Sequence, residues 1–135
     1  MSLIVTKSGD VAFIAQLVPF LDGLDVGLFV NDYLPNETTV LADLVEPTFP
    51  GYLRLSASGW GSAFLNALGQ GEVDLPPLTW TSSGTNSDVI HGYFLVDAFD
   101  DVIFLERFAG VGIPMFPDPQ QLSVTPKFTG ISQFG

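Results

Sequence analysis

The spacing of apolar and polar positions changes several times along the chain, and each change marks a predicted element. Val11, Phe13, Ile14, Leu17, Val18 and Leu21 recur at three- and four-residue intervals behind the capping oxygens of Ser8-Gly9-Asp10. That is the period of one helix face. It predicts a helix over residues 10–21, with Gly23 as its stop and Pro19 removing one interior hydrogen bond. The period then falls to two, because Val26, Leu28 and Val30 alternate with Gly27 and Phe29 before the turn residues Asn31-Asp32 and Pro35-Asn36. A strand followed by a loop is expected there. Residues 39–45 read as a short helical turn with Thr38 or Thr39 as cap, stopped before Pro47. Residues 52–58 alternate again and should turn Leu53, Leu55 and Ala57 toward the core.

Residues 59–71 fit either a short helix or a bulged strand, since Ala63, Phe64, Leu65, Ala67 and Leu68 lie between glycines. Residues 73–81 read as a strand that includes Pro76-Pro77, and 82–87 as a polar loop. Two apolar, β-branched and aromatic runs, 89–96 and 102–108, are joined by Asp97-Ala98-Phe99-Asp100-Asp101 and predict a β-hairpin. Ile90, Phe94, Val96, Ile103 and Leu105 are its expected core residues. In residues 111–135, a strand is expected over 122–128, with Pro126 marking an edge or an end. The predicted class is mainly β: a compact β-sandwich or partly open barrel of six to seven short strands with one N-terminal helix. The expected division is a β domain over 1–110 and a Pro- and Phe-rich segment over 111–135, which is either a docking arm or the last strand of the sheet.

Composition sharpens the functional side of this picture. The 135 residues hold 4 Lys plus Arg against 15 Asp plus Glu, a formal charge of −11, yet 47% are hydrophobic and the mean hydropathy is +0.39. A single core in a chain this long removes roughly two thirds of the unfolded surface from water, so the composition argues for a folded chain and against disorder. The four cations, Lys7, Arg54, Arg107 and Lys127, form no basic stripe, so nucleic acid is not an expected partner. No apolar run reaches the roughly 18–20 residues of a membrane helix, and the start lacks the charge-then-apolar order of a signal peptide. Zero Cys excludes disulfides, thiol catalysis and cysteine-ligated zinc. Surplus apolar surface of one charge sign is then expected to meet another protein chain.

Candidate chemistry is sparse. His91 is the sole histidine, so neither a histidine-based triad nor a multi-histidine metal site fits in one chain, and it is assigned no chemistry. Asp97, Asp100 and Asp101, with Asp88 near the hairpin base, offer hard oxygen ligands for Ca²⁺ but lack the order of an EF-hand, so they read as a solvated turn. Gly59-Trp60-Gly61-Ser62 does not follow the order of a nucleophile elbow, and Gly69-Gln70-Gly71 lacks the third glycine of a phosphate loop. A carboxylate-pair hydrolase would need two facing carboxylates that no spacing here announces. No catalytic residue, cofactor or metal is expected, and the chain reads as a non-enzyme.

One linear pattern stands out. Leu28-Phe29-Val30-Asn31-Asp32 with Pro35 is followed by Thr39-Val40-Leu41-Ala42-Asp43, by Glu46-Pro47, and by Phe49-Pro50-Gly51-Tyr52. His91-Gly92-Tyr93-Phe94 and Leu105-Glu106-Arg107-Phe108 come later. In that order, over roughly residues 10–110, these blocks resemble a family of small structural proteins of tailed bacteriophages, with His91 at a position where an aromatic is expected. The resemblance implies a virion component without catalytic residues, assembled in the host cytoplasm. The expected function is a capsid decoration (cement) protein on the outer shell, bound to the major capsid protein or other virion proteins. The alternative is a tail, fibre or baseplate domain contacting the host surface. A homo-oligomer is expected, a trimer being favoured, with no membrane partner. Phe116, Phe128, Ile131 and Phe134 are the candidate protein-contact residues, because they are too apolar for a free tail.

Overall fold

The computed structural model describes residues 3–130. In chain order its elements are a helix α1 (Lys7–Leu21), strand β1 (Asp25–Phe29), one 3-10 turn (Leu41–Asp43), then β2 (Leu55–Ser56), β3 (Phe64–Leu65), β4 (Gly71–Asp74) and β5 (Leu78–Ser82). There follow β6 (Val89–Ile90), β7 (Gly92–Val96), β8 (Val102–Arg107), β9 (Ile113–Pro114), β10 (Gln120–Val124) and β11 (Lys127–Thr129). The chain is mainly β, its strands paired antiparallel, with one helix near the N-terminus, as the periodicities predict. Eleven strands among the described residues replace the expected six or seven, because prolines and a histidine break three of the longer runs and short strands form at Phe64–Leu65 and Ile113–Pro114. Pro76-Pro77 splits 73–81 into β4 and β5, Thr125-Pro126 separates β10 from β11, and His91 separates β6 from β7. A proline has no N–H for a ladder, which accounts for the first two interruptions.

Contacts divide the chain into two units of discontinuous segments: residues 3–22, 58–77 and 125–130 in one, and 23–57 with 78–124 in the other. Residues 111–130 therefore contribute to both, as paired strands rather than as a separate body. In the smaller unit β4 is the middle of a three-stranded sheet, β11-β4-β3, and α1 packs on β4. Helix and strand come close at Gly71, where a Cβ would lie 2.9 Å from Ile14 Cδ1 and 3.0 Å from the backbone of Asp10. The Asp10 carboxylate accepts the Gly71 N–H at 2.7 Å, and Gly130 N–H donates to the Gly71 carbonyl at 2.8 Å. One acidic side chain thus ties the first helical turn to the sheet.

The larger unit centres on a four-stranded sheet of order β2-β1-β7-β8, beside the pairs β10-β5 and β6-β9. All five residues of β7 are buried, so it does not alternate, as is usual for a strand covered on both faces. Its register with β1 sets Gly27 opposite Phe94 and Gly92 opposite Phe29. Each phenylalanine ring lies over the facing glycine, where any Cβ would overlap it. Aromatic–glycine pairs of this kind fix register through sterics. Phe29, Leu44, Phe94 and Val96 form one core cluster, with Tyr33, Leu41, Val102 and Leu105 packed around it. Ile90, Phe94 and Val96 are buried as expected, whereas Ile103 and Leu105 are only half-buried because β8 is the sheet's outermost strand.

Three local expectations are corrected. The helix begins earlier, at Lys7, because the Thr6 hydroxyl accepts the Gly9 N–H at 3.0 Å and takes the capping role expected of Ser8-Gly9-Asp10. Thr38 and Thr39 do not cap the 3-10 turn: Thr39 bonds Tyr33 and the Asn36 N–H, and the Asp43 carboxylate accepts the Val40 N–H instead. Leu53, expected in the core, is 58% exposed. The neighbouring Tyr52 and Arg54 are drawn inward by Glu46, which leaves Leu53 outside.

Candidate interaction surface

Helix α1 has more apolar residues than its one packed face holds. Only Ile14 and Leu21, two turns apart, are buried; Val11 and Val18 are half-buried. Phe13, Leu17 and Phe20 are exposed by 62%, 38% and 49%. These three recur at the i, i+4, i+7 spacing of anchors on an interacting helix face, and residues 11–21 carry no charge at all. Beside the helix an open groove of about 480 Å³ is lined by small side chains, Ala12, Ala15 and Ala63 with Ser8 and Ser62 among them. The adjoining β3 exposes Phe64 and Leu65, and the turn after it exposes Leu68 by 81%.

Charge separates the two units. The smaller holds two cations, Lys7 and Lys127, against four carboxylates, whereas the larger holds Arg54 and Arg107 against eleven. The apolar groups on α1 and β3 thus belong to the less charged unit.

Both arginines of the larger unit are committed internally. Glu46 accepts Arg54 Nε at 3.0 Å, Arg54 Nη2 at 2.9 Å and the Tyr52 hydroxyl at 2.7 Å, while Arg54 Nη1 reaches Asp100 at 3.1 Å and its guanidinium lies 5.7 Å from the Phe94 ring centre. Hydrogen bonds from Arg54 hold the Glu46 carboxyl below its ordinary range, and burial pushes the Tyr52 hydroxyl up. Burial and a 2.6 Å bond to Glu106 likewise push Tyr93 up. Arg107 pairs with Asp32 and donates to the Tyr33 carbonyl at 3.0 Å. This is a bracing network, since Arg54, Arg107, Glu46, Asp100, Asp32 and Glu106 all find partners within the unit.

The residues singled out in the sequence fall in several places. Phe116 is 40% exposed just after the buried Met115 in the larger unit, whereas Phe128 is half-buried on β11 of the smaller one, opposite Val73. The four expected contact residues are thus not one described surface, and Ile131 and Phe134 lie outside the described residues. His91 works through its backbone, its N–H donating to Phe29 and its carbonyl accepting from Phe108. At the hairpin tip Asp97 accepts the N–H groups of Phe99 and Asp101 at 2.9 and 3.0 Å, Asp100 is bound by Arg54, and Asp88 accepts the Thr48 N–H. Among the described residues no three His, Cys, Asp or Glu side chains gather to hold a metal ion, and no helix is long and apolar enough to cross a membrane. Ser62 lines the groove, and Gly69 closes a turn at φ +77°.

Helical spacing alone groups Phe13 and Leu17 with Val11, Ile14, Val18 and Leu21. The signal that separates them was present: six apolar positions in eleven residues spread over more of a helix than one face. No protein-family model, no curated protein and no solved structure matches the chain.

Proposed function

We propose that this chain is a non-enzymatic structural protein of a tailed-phage particle, a capsid decoration protein that docks on the major capsid protein through the uncharged outer face of α1. The observation that carries the reading is the set Phe13, Leu17 and Phe20, exposed together on one side of α1 within the less charged unit. Large exposed apolar groups on one unit mark a protein contact. The resemblance of residues 28–52 and 91–108 to phage structural proteins supplies the setting, and those blocks lie in the other unit. Copies assemble as a homo-oligomer, with a trimer favoured by the repetition of sites on a symmetric shell.

Four measurements test this. Electron microscopy of purified particles should place the protein on the outer shell, and light scattering should give more than one copy per soluble species. Because the docking face lacks ions, attachment should survive raised NaCl, whereas a surface held by exposed ion pairs at about 0–1 kcal/mol each would weaken. Phe13→Asp with Leu17→Asp should abolish attachment while leaving the unfolding midpoint unchanged. Density on the tail, or release of folded protein by salt, would remove the decoration reading.

A further inference from the structure

Strands β5 and β10 of the larger unit make a sheet of two, and main-chain hydrogen bonds show which way each residue faces. In an antiparallel pair, residues alternate between exchanging main-chain bonds with the facing strand and turning those groups away. Ser83 sends its N–H away from β10, to the Pro50 carbonyl at 3.1 Å, and the Thr81 carbonyl lies against the same loop at Gly51. Ser82, Trp80 and Leu78 therefore bond β10, at Gln120, Leu122 and Val124, while Thr81 and Thr79 turn away. By the same register Gln121 and Ser123 turn their N–H and C=O groups out from the far side of β10. The hydroxyls of Thr79 and Ser123 meet at 2.8 Å, which agrees, since side chains approach closest in pairs that exchange no main-chain bonds.

Beyond β5 lies the loop at Pro50, but among the described residues nothing bonds the main chain of Gln121 or Ser123 on the far side of β10. Both residues are exposed, on either side of the buried Leu122. Open strand edges are commonly blunted by a charge, a proline or a bulge. Residues 120–124 carry none of these, although their unit holds eleven carboxylates.

We infer that this edge is a self-pairing site, taking β10 of a second copy of the chain. Charge selects the occupant. The edge offers no carboxylate to a cationic strand and no cation to an acidic one, whereas an uncharged strand of the same length forgoes nothing there, and β10 is such a strand. The net charge of −11 opposes the approach of two copies, and it opposes least where both surfaces are uncharged. Two identical edges related by a twofold axis run antiparallel. With the axis at Leu122, the Gln121 N–H of each copy donates to the Ser123 carbonyl of the other, and the Ser123 N–H to the Gln121 carbonyl. Two sheets of two strands then become one sheet in the order β5-β10-β10-β5, large enough to be stable where a lone strand pair is marginal. The contact is twofold, so the threefold favoured on the shell is a separate one, and α1 takes no part in it.

Light scattering and amide exchange over a range of protein concentrations test this, since so short an edge pairs reversibly. As concentration rises, dimers should form and the Gln121 and Ser123 amides should gain protection. Leu122, already bonded to β5, and Thr79, turned to the opposite edge, should show no change. Ser123→Pro removes an outward N–H that the single chain does not use and should abolish the dimer; Ser123→Ala keeps that N–H and should retain it. Phe13→Asp with Leu17→Asp should leave the dimer intact, so failure of this contact and failure of particle docking through α1 are read apart. A species monomeric at every concentration, a dimer that survives Ser123→Pro, or protection of Gln121 and Ser123 that appears only on the particle would overturn the proposal. If Ser123→Pro does not fold, wild-type exchange decides: protection at Gln121 and Ser123 that is indifferent to concentration overturns it.

Discussion

At the scale of single residues, burial and partner count separate side chains of the same type. Phe94 is fully buried against Gly27 under the Arg54 guanidinium, whereas Phe99, five residues on, is 86% exposed at the hairpin tip. Phe94→Ala should cost about 3–5 kcal/mol through lost burial and the cavity it leaves. Phe99→Ala should stay within about 0.5 kcal/mol. Urea unfolding of the two variants checks the contrast, and a small effect at Phe94 would show that the β1–β7–β8 sheet is not the main core. Glu46 gives a pH signature. Its folded value is depressed, so its stabilisation is present above about pH 4.3, the ordinary Glu value, and is lost as pH falls through the depressed one. Arg54→Met should flatten the acid limb of a stability-against-pH curve and lower the plateau. An unchanged acid limb would mean that the bridge to Glu46 contributes nothing.

At the scale of elements, local chemistry sets where each one stops, and packing sets which face it hides. The 15-residue helix α1 tolerates Pro19 near its end, where only one upstream carbonyl loses its N–H partner. Its contact with β4 depends on Gly71. Gly71→Val should separate helix and strand, because the added atoms meet Ile14 and the helix backbone within about 3 Å. Faster amide exchange throughout α1 is the expected result; unchanged exchange would show that the helix is held elsewhere. The last strands are also integral. β10 pairs with β5 over five residues and β11 pairs with β4 over three, so deleting 111–135 should unfold or aggregate the protein. A soluble, folded truncation that merely fails to bind particles would instead support the docking-arm reading of this segment.

At the scale of the whole molecule, the charge of −11 and the apolar composition are not spread evenly. Most of the acid lies in the larger unit, which spends its Arg54 network and its Arg107 pairs on bracing itself, while exposed apolar groups of α1 and β3 lie in the smaller. A net charge of one sign keeps separate copies apart in solution, and an uncharged face lets a neighbour approach without that repulsion. The particle-binding and salt tests address this division directly.

The chain by itself determined what depends on short-range chemistry. Helical spacing from Val11 to Leu21, the alternation at 26–30 and the hairpin around Asp97–Asp101 were legible because capping, turn geometry and side-chain period act within a few residues. The mainly β class followed from them. Tertiary structure alone decided which apolar residues stay outside. Phe13 and Leu17 carry the same local code as Ile14, but β4 has room for only one face of the helix, and Gly71 selects which. It also brought Arg54 to Asp100, 46 positions away, and Asp10 to Gly71, 61 positions away.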